Sequence, residues 1–261
     1  MSRLPVVFVS HGSPMQALHG GRAAEAWRTL AAATPKPRAV LAVSAHWETD
    51  APAVSAAANP ETIHDFGGFP QALFQIEYPA PGAPWLAGRV RELLEAGGLP
   101  ITVDPQRGLD HGAWVPLREM YPVADVPVAQ LAIQPHRGTA HHYRVGQALS
   151  KLKDEGVLIL ASGSLTHNLR DWRPDVGDDA GSMLPYVTQF QDWMAEKLLA
   201  RDVDALLDYR QRAPGAVRAH PSDEHLLPLH VALGAGGDSA VVRRVHNGVT
   251  EAALAMDVYA F

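Results

Sequence analysis

Residues 6–11 of the sequence read VVFVSH, a run of mostly β-branched and aromatic residues that ends in a histidine. A short run that is apolar without alternation is typical of a strand buried on both faces, as in a parallel sheet. Three further runs share this character. We predict strands at Val6–Ser10, Ala39–Ala45, Val126–Ile133 and Val157–Ser162.

The segments between these strands carry the 3.6-residue apolar period of helices. We predict helices at Arg22–Ala33, Ala83–Ala96, Ala140–Lys153 and Leu184–Ala200. Alternation of strand and helix favours an α/β fold, in which a central, mostly parallel sheet has helices on both faces. Because no internal repeat or linker interrupts the pattern, we predict a single domain over residues 1–261.

Composition excludes several classes of function. The net charge of −6 is spread along the chain without a basic stripe, so a nucleic-acid partner is not expected. No segment approaches the roughly 20 apolar residues of a membrane span, and the apolar run 5–9 is too short for a signal peptide. We therefore expect a cytoplasmic protein. Cysteine is absent, so any metal ion must be held by His, Asp or Glu.

Histidines follow three of the predicted strands. His11 and His46 come directly after the first and second, and His167 lies just past the strand at 157–162. In open parallel α/β sheets the ligand site lies at the carboxyl ends of the strands. One such histidine is usually a structural residue, but three at equivalent positions predict a shared site there.

Two more histidines are candidates, each with a structural alternative of equal weight. Ser222 can cap a following helix, which would place His225 in its first turn at the edge of the same crevice. His111 precedes a helical stretch and is either a donor near the site or part of a capped helix start. Asp110 beside it could orient it or a neighbour, as carboxylates do for metal-bound imidazoles.

The segment Asn59–Pro84 is long, rich in glycine and proline, and without a clear period. Structureless stretches of this length are uncommon in compact domains unless they serve a site. Its His64 and Asp65 are suited to the rim of a pocket, and Phe66 and Phe69 supply aromatic surface. We expect this loop to line a substrate pocket through His64, Phe66 and Phe69.

Six motifs occur in a fixed order: SHGSPM, SAHW, TIHDFGGFPQAL with YPAPG, DHGAWVPL, SLTHNLRDW and HPSDEHLLPL. Together they resemble the class III extradiol ring-cleavage dioxygenases of the LigB-type superfamily, and most of all its DOPA-dioxygenase-like branch. The resemblance extends from about residue 6 to 233, nearly the whole chain. It implies a function and a role for each histidine.

His11 and His46 match the metal-binding histidines of that family, and His225 matches the third ligand of this branch. His167 matches the histidine that acts as acid and base, and zinc-bound relatives suggest that it can also be a fourth ligand. His111 matches a histidine on the substrate side. These correspondences are what the resemblance implies for this chain.

The resemblance implies one divalent metal ion. Better-known extradiol enzymes hold Fe(II) with two histidines and a carboxylate. Here the third position is His225 with Glu224 beside it, and adjacent helical residues point about 100° apart, so both are not expected to bind one ion. We expect Fe(II) for catalysis, with Zn(II) as the alternative bound ion, since an all-imidazole site also suits zinc.

The implied reaction is extradiol cleavage of a catecholic aromatic, DOPA-like or related, with O2 as the second substrate. His167 would take a phenolic proton and return one later. All electrons come from the substrate, so neither nicotinamide nor flavin is required. A zinc-dependent hydrolase on the same histidines and a non-catalytic metal-binding relative remain alternatives at this stage, and the sequence leaves the oligomeric state open.

Overall fold

The structure is a computed structural model that describes residues 3–177 and 182–261. Its α-helices are α1 Gln16–His19, α2 Arg22–Ala32, α3 Pro84–Ala96, α4 His111–Met120, α5 Gly138–Leu149, α6 Pro185–Ala200, α7 Val203–Leu207, α8 Tyr209–Arg212, α9 Ala216–Ala219 and α10 Leu227–Gly236. Its strands are β1 Val6–Ser10, β2 Ala39–Glu48, β3 Ala53–Ser55, β4 Thr102–Asp104, β5 Val128–Ile133, β6 Val157–Gly163, β7 Arg243–His246, β8 Val249–Thr250, β9 Leu254–Ala255 and β10 Val258–Ala260.

A central sheet of eight strands has the order β4-β3-β5-β2-β6-β1-β10-β7. Its middle four strands, β5, β2, β6 and β1, are parallel. The flanking strands change direction, since β3 runs antiparallel to β5, and β10 runs antiparallel to both β1 and β7. The α/β fold with a mostly parallel central sheet is thus confirmed. Its parallel centre brings the carboxyl ends of β2, β6 and β1 side by side.

The four predicted strands form this parallel centre, with small differences at their ends. The largest is in β2, which extends to Glu48, so His46 lies within the strand and does not follow it. There the ladder with β6 has ended at Ser44, and the pairing with β5 shifts register between Val43 and Glu48. Such irregularities re-aim side chains near functional sites. The short flanking strands were not predicted because three or four residues show no usable pattern.

Successive side chains of the central strands enter two separate cores. Val6 and Phe8 of β1 pack in the core that also contains Leu86 of α3 and Phe190 of α6. Val7 and Val9 pack with Trp27 of α2 and Trp114 of α4 on the other face. Because both faces of the sheet are covered by helices, its strands read as continuous apolar runs.

The predicted helices correspond to α2, α3, α5 and α6. The third differs most, because α5 begins at Gly138 and ends at Leu149, where a 3₁₀ helix over Ser150–Glu155 takes over. A 3₁₀ segment at the end of an α-helix keeps the apolar period approximately, which explains why the sequence predicts one longer helix. No helix in the described ranges is long and apolar enough to cross a lipid bilayer.

Candidate metal centre

Three neighbouring strands deliver histidines to one edge of the sheet. His11 follows β1, His46 lies near the end of β2, and His167 is four residues past the last residue of β6. Since β6 pairs with β1 on one side and with β2 on the other, the three strand ends are adjacent. The structure therefore brings together the histidines that the sequence places at strand ends.

His225 reaches the same edge from a turn and not from a helix. The helix α10 begins only at Leu227, its N-cap is Leu226, and no side chain caps it. The predicted cap by Ser222 is therefore wrong, because the turn at Asp223 precedes the helix and accepts the amide hydrogens of Leu226 and Leu227.

A glycine at the end of β6 allows the His225 turn to approach the sheet. The backbone amide of Ser164 donates to the carbonyl of His225 at 2.8 Å. A Cβ atom on Gly163 would lie 2.1 Å from that same carbonyl oxygen. Any side chain at residue 163 would therefore push His225 away from the sheet edge.

The Nε2 atoms of three histidines converge. Nε2 of His46 lies 3.0 Å from Nε2 of His11 and 3.3 Å from Nε2 of His225. Within the described ranges, ligand atoms closer than 4.8 Å to one another form two groups: His11, His46 and His111, and His167, Glu224 and His225. The contact between His46 and His225 joins the two groups into a single centre.

The opposite ring nitrogen of each converging histidine faces an acceptor. Nδ1 of His11 lies 3.0 Å from Oγ of Ser162, whose own hydroxyl donates to the carbonyl of Gly112. Nδ1 of His225 lies 2.9 Å from Oε1 of Glu224. Nδ1 of His46 lies 3.4 Å from Oδ2 of Asp65. These partners favour the tautomer with the proton on Nδ1, which leaves a lone pair on Nε2.

Three converging lone pairs fit a divalent cation. Burial, reinforced by the neighbouring imidazoles, lowers the pKa of His46 to about 3 and holds the pKa of His11 and of His225 well below the ordinary value. The three imidazoles are therefore neutral at neutral pH, and each keeps one nitrogen lone pair. Metal–nitrogen bonds of about 2.1 Å place two ligand nitrogens about 3.0 to 3.4 Å apart at octahedral or tetrahedral angles. The observed separations match this spacing.

Glu224 lies behind His225 and not beside it at the centre. Its Oε1 atom lies next to Nδ1 of His225, on the side of the ring away from the converging Nε2 atoms. That Glu224 and His225 do not bind the same ion stays a prediction, since both also belong to the close group with His167. The contact from Oε1 to Nδ1 is of the kind that orients an imidazole.

His167 stacks on His225. The two ring centroids are 3.4 Å apart and the ring planes differ by 12°. Nδ1 of His167 lies 3.9 Å from Oε1 of Glu224, and the side chain is 22% exposed. Burial is the main cause that lowers the pKa of His167 to about 4, although the charge of Glu224 opposes it. Without a metal ion, His167 is thus a neutral imidazole with an accessible edge.

His111 is the first residue of α4, and its ring is held by Asp65. Oδ1 of Asp65 accepts from the backbone amide of His111 at 2.9 Å and lies 3.0 Å from its Nδ1. Burial favours the protonated carboxyl, but the hydrogen bonds and charge of His111 lower the pKa of Asp65 to about 2. The His111 ring lies 3.9 Å from that of His46, centroid to centroid.

Asp110 has a different role from the orienting contact predicted for it. As the N-cap of α4 it accepts from the amide of Ala113, which confirms the capped helix start. Its carboxylate also accepts hydrogen bonds from Oγ of Ser44 at 2.6 Å, from Nη2 of Arg107 at 2.9 Å, and from Nε2 of Gln130. Asp110 therefore ties the end of β2 to the start of α4, while the contact to the His111 ring comes from Asp65.

The long loop contributes an aromatic cluster beside His111. The ring of Phe66 lies 5.6 Å from that of His111, edge to face, and 5.6 Å from that of Phe69. His64 packs edge-on to Phe66 at 5.7 Å, and its Nε2 is 3.0 Å from the carbonyl of Ile76. Phe66 is thus the member of the cluster that contacts His111, whereas His64 contacts the backbone of Ile76 in the same loop.

The sequence matches, over residues 5–256, the family described as the catalytic LigB subunit of aromatic ring-opening dioxygenase. The chain belongs to the LigB family. It is 43% identical to 4,5-DOPA dioxygenase extradiol of Beta vulgaris, over 97% of this chain and 95% of that protein. It is 39% identical to 4,5-DOPA dioxygenase extradiol of Escherichia coli K12, over 98% of this chain and 93% of that protein.

A crystal structure of an uncharacterised Escherichia coli K12 protein superimposes on this LigB-family chain with a TM-score of 0.83. The two are 33% identical, and the match covers 99% of this chain and 100% of the other. Together with the relatives, this places the chain in the DOPA-dioxygenase-like branch and makes it an extradiol dioxygenase. The zinc hydrolase and the non-catalytic relative are therefore disfavoured.

The sequence does not single out one buried histidine of this LigB-family enzyme. His220 is fully buried, and its Nε2 lies 2.8 Å from the carbonyl of Leu165. In addition, the backbone amide of His167 donates to the carbonyl of Ala219. These contacts bind the HPSDEH segment to the segment that carries His167. No strand end or spacing marks His220, and only its place in the same motif as His225 could have drawn attention to it.

Proposed function

We propose that this LigB-family dioxygenase opens the ring of a catecholic substrate, DOPA-like or related, beside its diol, with O2 as the second substrate. The observation that supports this most is the convergence of Nε2 of His46 with those of His11 and His225. Around this centre lie two further histidines that can exchange protons with a phenol. We also propose that residues 1–261 form one catalytic domain; its cytoplasmic location stays a prediction.

In this proposal His11, His46 and His225 hold one divalent metal ion through Nε2, and the ion used in catalysis is Fe(II). When bound, Fe(II) supplies coordination positions for the diol and O2 and a path for electrons between them. The substrate provides all electrons, and both oxygen atoms enter the ring-opened product. Zinc fits the same three imidazoles but has no redox chemistry.

His167 acts as the acid and base of the reaction. Its depressed pKa leaves it neutral, so the ring can accept a phenolic proton as the diol binds. Glu224, 3.9 Å from its Nδ1, stabilises the imidazolium that forms. His167 then returns the proton later in the reaction. Its side chain is 22% exposed, so a substrate oxygen could approach the ring.

The stacking of His167 on His225 supports the base over a fourth ligand. A metal ion binds an imidazole in the plane of the ring, where the nitrogen lone pair lies. The planes of the two rings are nearly parallel, at 12°, with centroids 3.4 Å apart. Because the rings are stacked and nearly parallel, their in-plane lone pairs run side by side and do not converge, so His225 would hold a metal ion and His167 would stay free to accept a proton.

His111 and the aromatic cluster form the substrate side. The ring of Phe66 meets the ring of His111 at 5.6 Å, and Phe69 and His64 pack behind it. An aromatic substrate bound at the metal through its diol would place its ring beside these side chains. His111 contributes a polar atom there, while Phe66 supplies an apolar edge.

Replacing Phe66 by alanine is expected to raise KM for a catechol about 10-fold and to leave metal content unchanged. Loss of one aromatic contact weakens binding by about 1 kcal/mol or slightly more. Phe74→Ala is the matched control, since that ring packs behind the cluster, 5.2 Å from the ring of Phe66 and 6.0 Å from that of His64. Steady-state kinetics with several catechols measures the effect. Equal KM values for both variants would contradict the pocket assignment.

The function is tested by reconstituting the metal-free protein with Fe(II) under anaerobic conditions, then adding air and a panel of catechols. We expect consumption of one O2 per catechol and a coloured ring-opened product, and no O2 consumption by the zinc-loaded protein. An iron-loaded protein that consumes no O2 with any catechol would refute the proposal. Hydrolysis by the zinc-loaded protein would favour the hydrolase alternative.

A further inference from the structure

The carboxylate of Asp65 lies between two histidines and uses a different oxygen for each. Oδ1 accepts a hydrogen bond from the backbone amide of His111 at 2.9 Å and lies 3.0 Å from Nδ1 of the same residue. Oδ2 lies 3.4 Å from Nδ1 of His46. The side chain is 22% exposed. Asp65 therefore contacts one proposed metal ligand and the substrate-side histidine, and it comes from the long loop, not from the sheet.

We propose that Asp65 is a positioning residue that accepts the Nδ1 proton of both His46 and His111 and so leaves Nε2 of each ring as a lone pair. The proposal rests on the metal role proposed for His46. For His46 the lone pair is what a metal ion needs. For His111 it means that the ring accepts a hydrogen from the substrate and does not donate one.

Only a carboxylate satisfies both histidines. An asparagine has one acceptor oxygen and one amide nitrogen with two hydrogens. If its oxygen stays with His111, its N–H hydrogens face Nδ1 of His46 and favour the tautomer with the proton on Nε2, which blocks the metal. If the amide is reversed, His111 changes tautomer instead. Either way one ring loses its required state.

Glu224 provides a matched comparison within the same site. One of its two oxygens, Oε1, lies 2.9 Å from Nδ1 of His225 and 3.9 Å from Nδ1 of His167. Because both imidazoles face one oxygen, the amide of a glutamine can still present an acceptor to each. Loss of charge is the same in Asp65→Asn and Glu224→Gln, but only Asp65→Asn introduces a donor against an imidazole.

The three residues before Asp65 hold it in place through contacts with other parts of the chain. The backbone amide of Ile63 donates to the carbonyl of Leu109, two residues before His111. The Oγ1 atom of Thr62 accepts from the amide of Tyr78 at 2.8 Å, and Nε2 of His64 lies 3.0 Å from the carbonyl of Ile76. Asp65 is thus anchored to the start of α4, which favours a fixed position for its carboxylate.

The experiment measures two quantities that need neither substrate nor O2. Affinity for Zn(II) is determined by competition with a chelator, and the tautomer of His111 is read from ¹⁵N chemical shifts of the zinc-loaded protein. The variants are Asp65→Asn, Glu224→Gln and Glu77→Gln, the last removing an exposed charge from the same loop. Melting of the metal-free proteins shows whether each variant is folded.

In the wild type we expect the His111 proton on Nδ1. In Asp65→Asn we expect either a 10- to 100-fold loss of Zn(II) affinity, the usual scale for such partners of metal ligands, or a shift of the His111 proton to Nε2. Glu224→Gln is expected to lose less affinity, and Glu77→Gln none. A wild-type His111 proton on Nε2 would overturn the proposal even if Asp65→Asn fails to fold.

The proposal also fails if Asp65→Asn is folded and neither its Zn(II) affinity nor its His111 tautomer changes. Failure of the proposed function has a different signature. In that case iron-loaded wild type consumes no O2 with catechols, whereas the tautomer of His111 in zinc-loaded wild type still reports on Asp65.

Discussion

Replacing His46 by alanine is expected to lower the affinity for Fe(II) and Zn(II) by at least about 100-fold, since changes to the outer partners of such ligands already cost 10- to 100-fold. His46 is the middle member of the three, with its Nε2 3.0 Å from that of His11 and 3.3 Å from that of His225. Its removal takes away the nitrogen that lies close to both of the others. Metal content after dialysis, measured by atomic emission, checks the loss.

His136→Ala is the matched control, because His136 is an exposed residue of the 3₁₀ helix Pro135–Arg137 and belongs to neither group of close ligand atoms in the described ranges. It should keep full metal content. Alanine variants of His11 and His225 should behave like that of His46, although their deeper burial makes some loss of stability expected as well. If all three variants retain one ion per chain, the assignment of these histidines as ligands is wrong.

Replacing His167 by alanine is expected to slow turnover at least about 100-fold while most of the bound Fe(II) is kept, the usual scale for a lost acid/base group. The reason is geometric, since its ring is stacked nearly parallel on that of His225, so the in-plane lone pairs of the two rings do not converge. Metal content and O2 consumption are measured on one iron-loaded preparation. Catechol binding should persist, because the ligand histidines are intact.

The two possible failures of this prediction separate the two roles of His167. A parallel loss of iron and activity would show that the residue is a ligand. Near-normal turnover with iron retained would exclude an essential base. His46→Ala is the reference for the loss of a ligand, because that variant should lose metal and activity together.

The sequence alone was sufficient for the parallel centre of the sheet. The runs at 6–10, 39–45 and 157–162 are apolar at nearly every position because their strands are covered by helices on both faces. That property is local and readable from the chain. The same reading placed His11, His46 and His167 at one edge, because parallel strands have their carboxyl ends on the same side. The absence of cysteine restricted the ligands to His, Asp and Glu.

The edges of the sheet were decided by tertiary contacts. The strand β10 has three residues and pairs antiparallel with β1, more than 240 residues earlier in the chain. Such a short strand forms because a paired edge is already available to it, not because of its own pattern. The turn around His225 is similar, since it is held by the amide of Ser164 and by the space that Gly163 leaves.

The partners of the histidines were also decided only by the tertiary structure. Asp110 is next to His111 in sequence, yet Asp65, 46 residues away, holds the His111 ring. Sequence order places an atom along the chain, but a hydrogen bond depends on distance and direction in space. Those are set by how the long loop folds back onto α4. The sequence therefore determined which residue types meet at this edge, and the packing of loops against the sheet determined which nitrogen each acceptor faces.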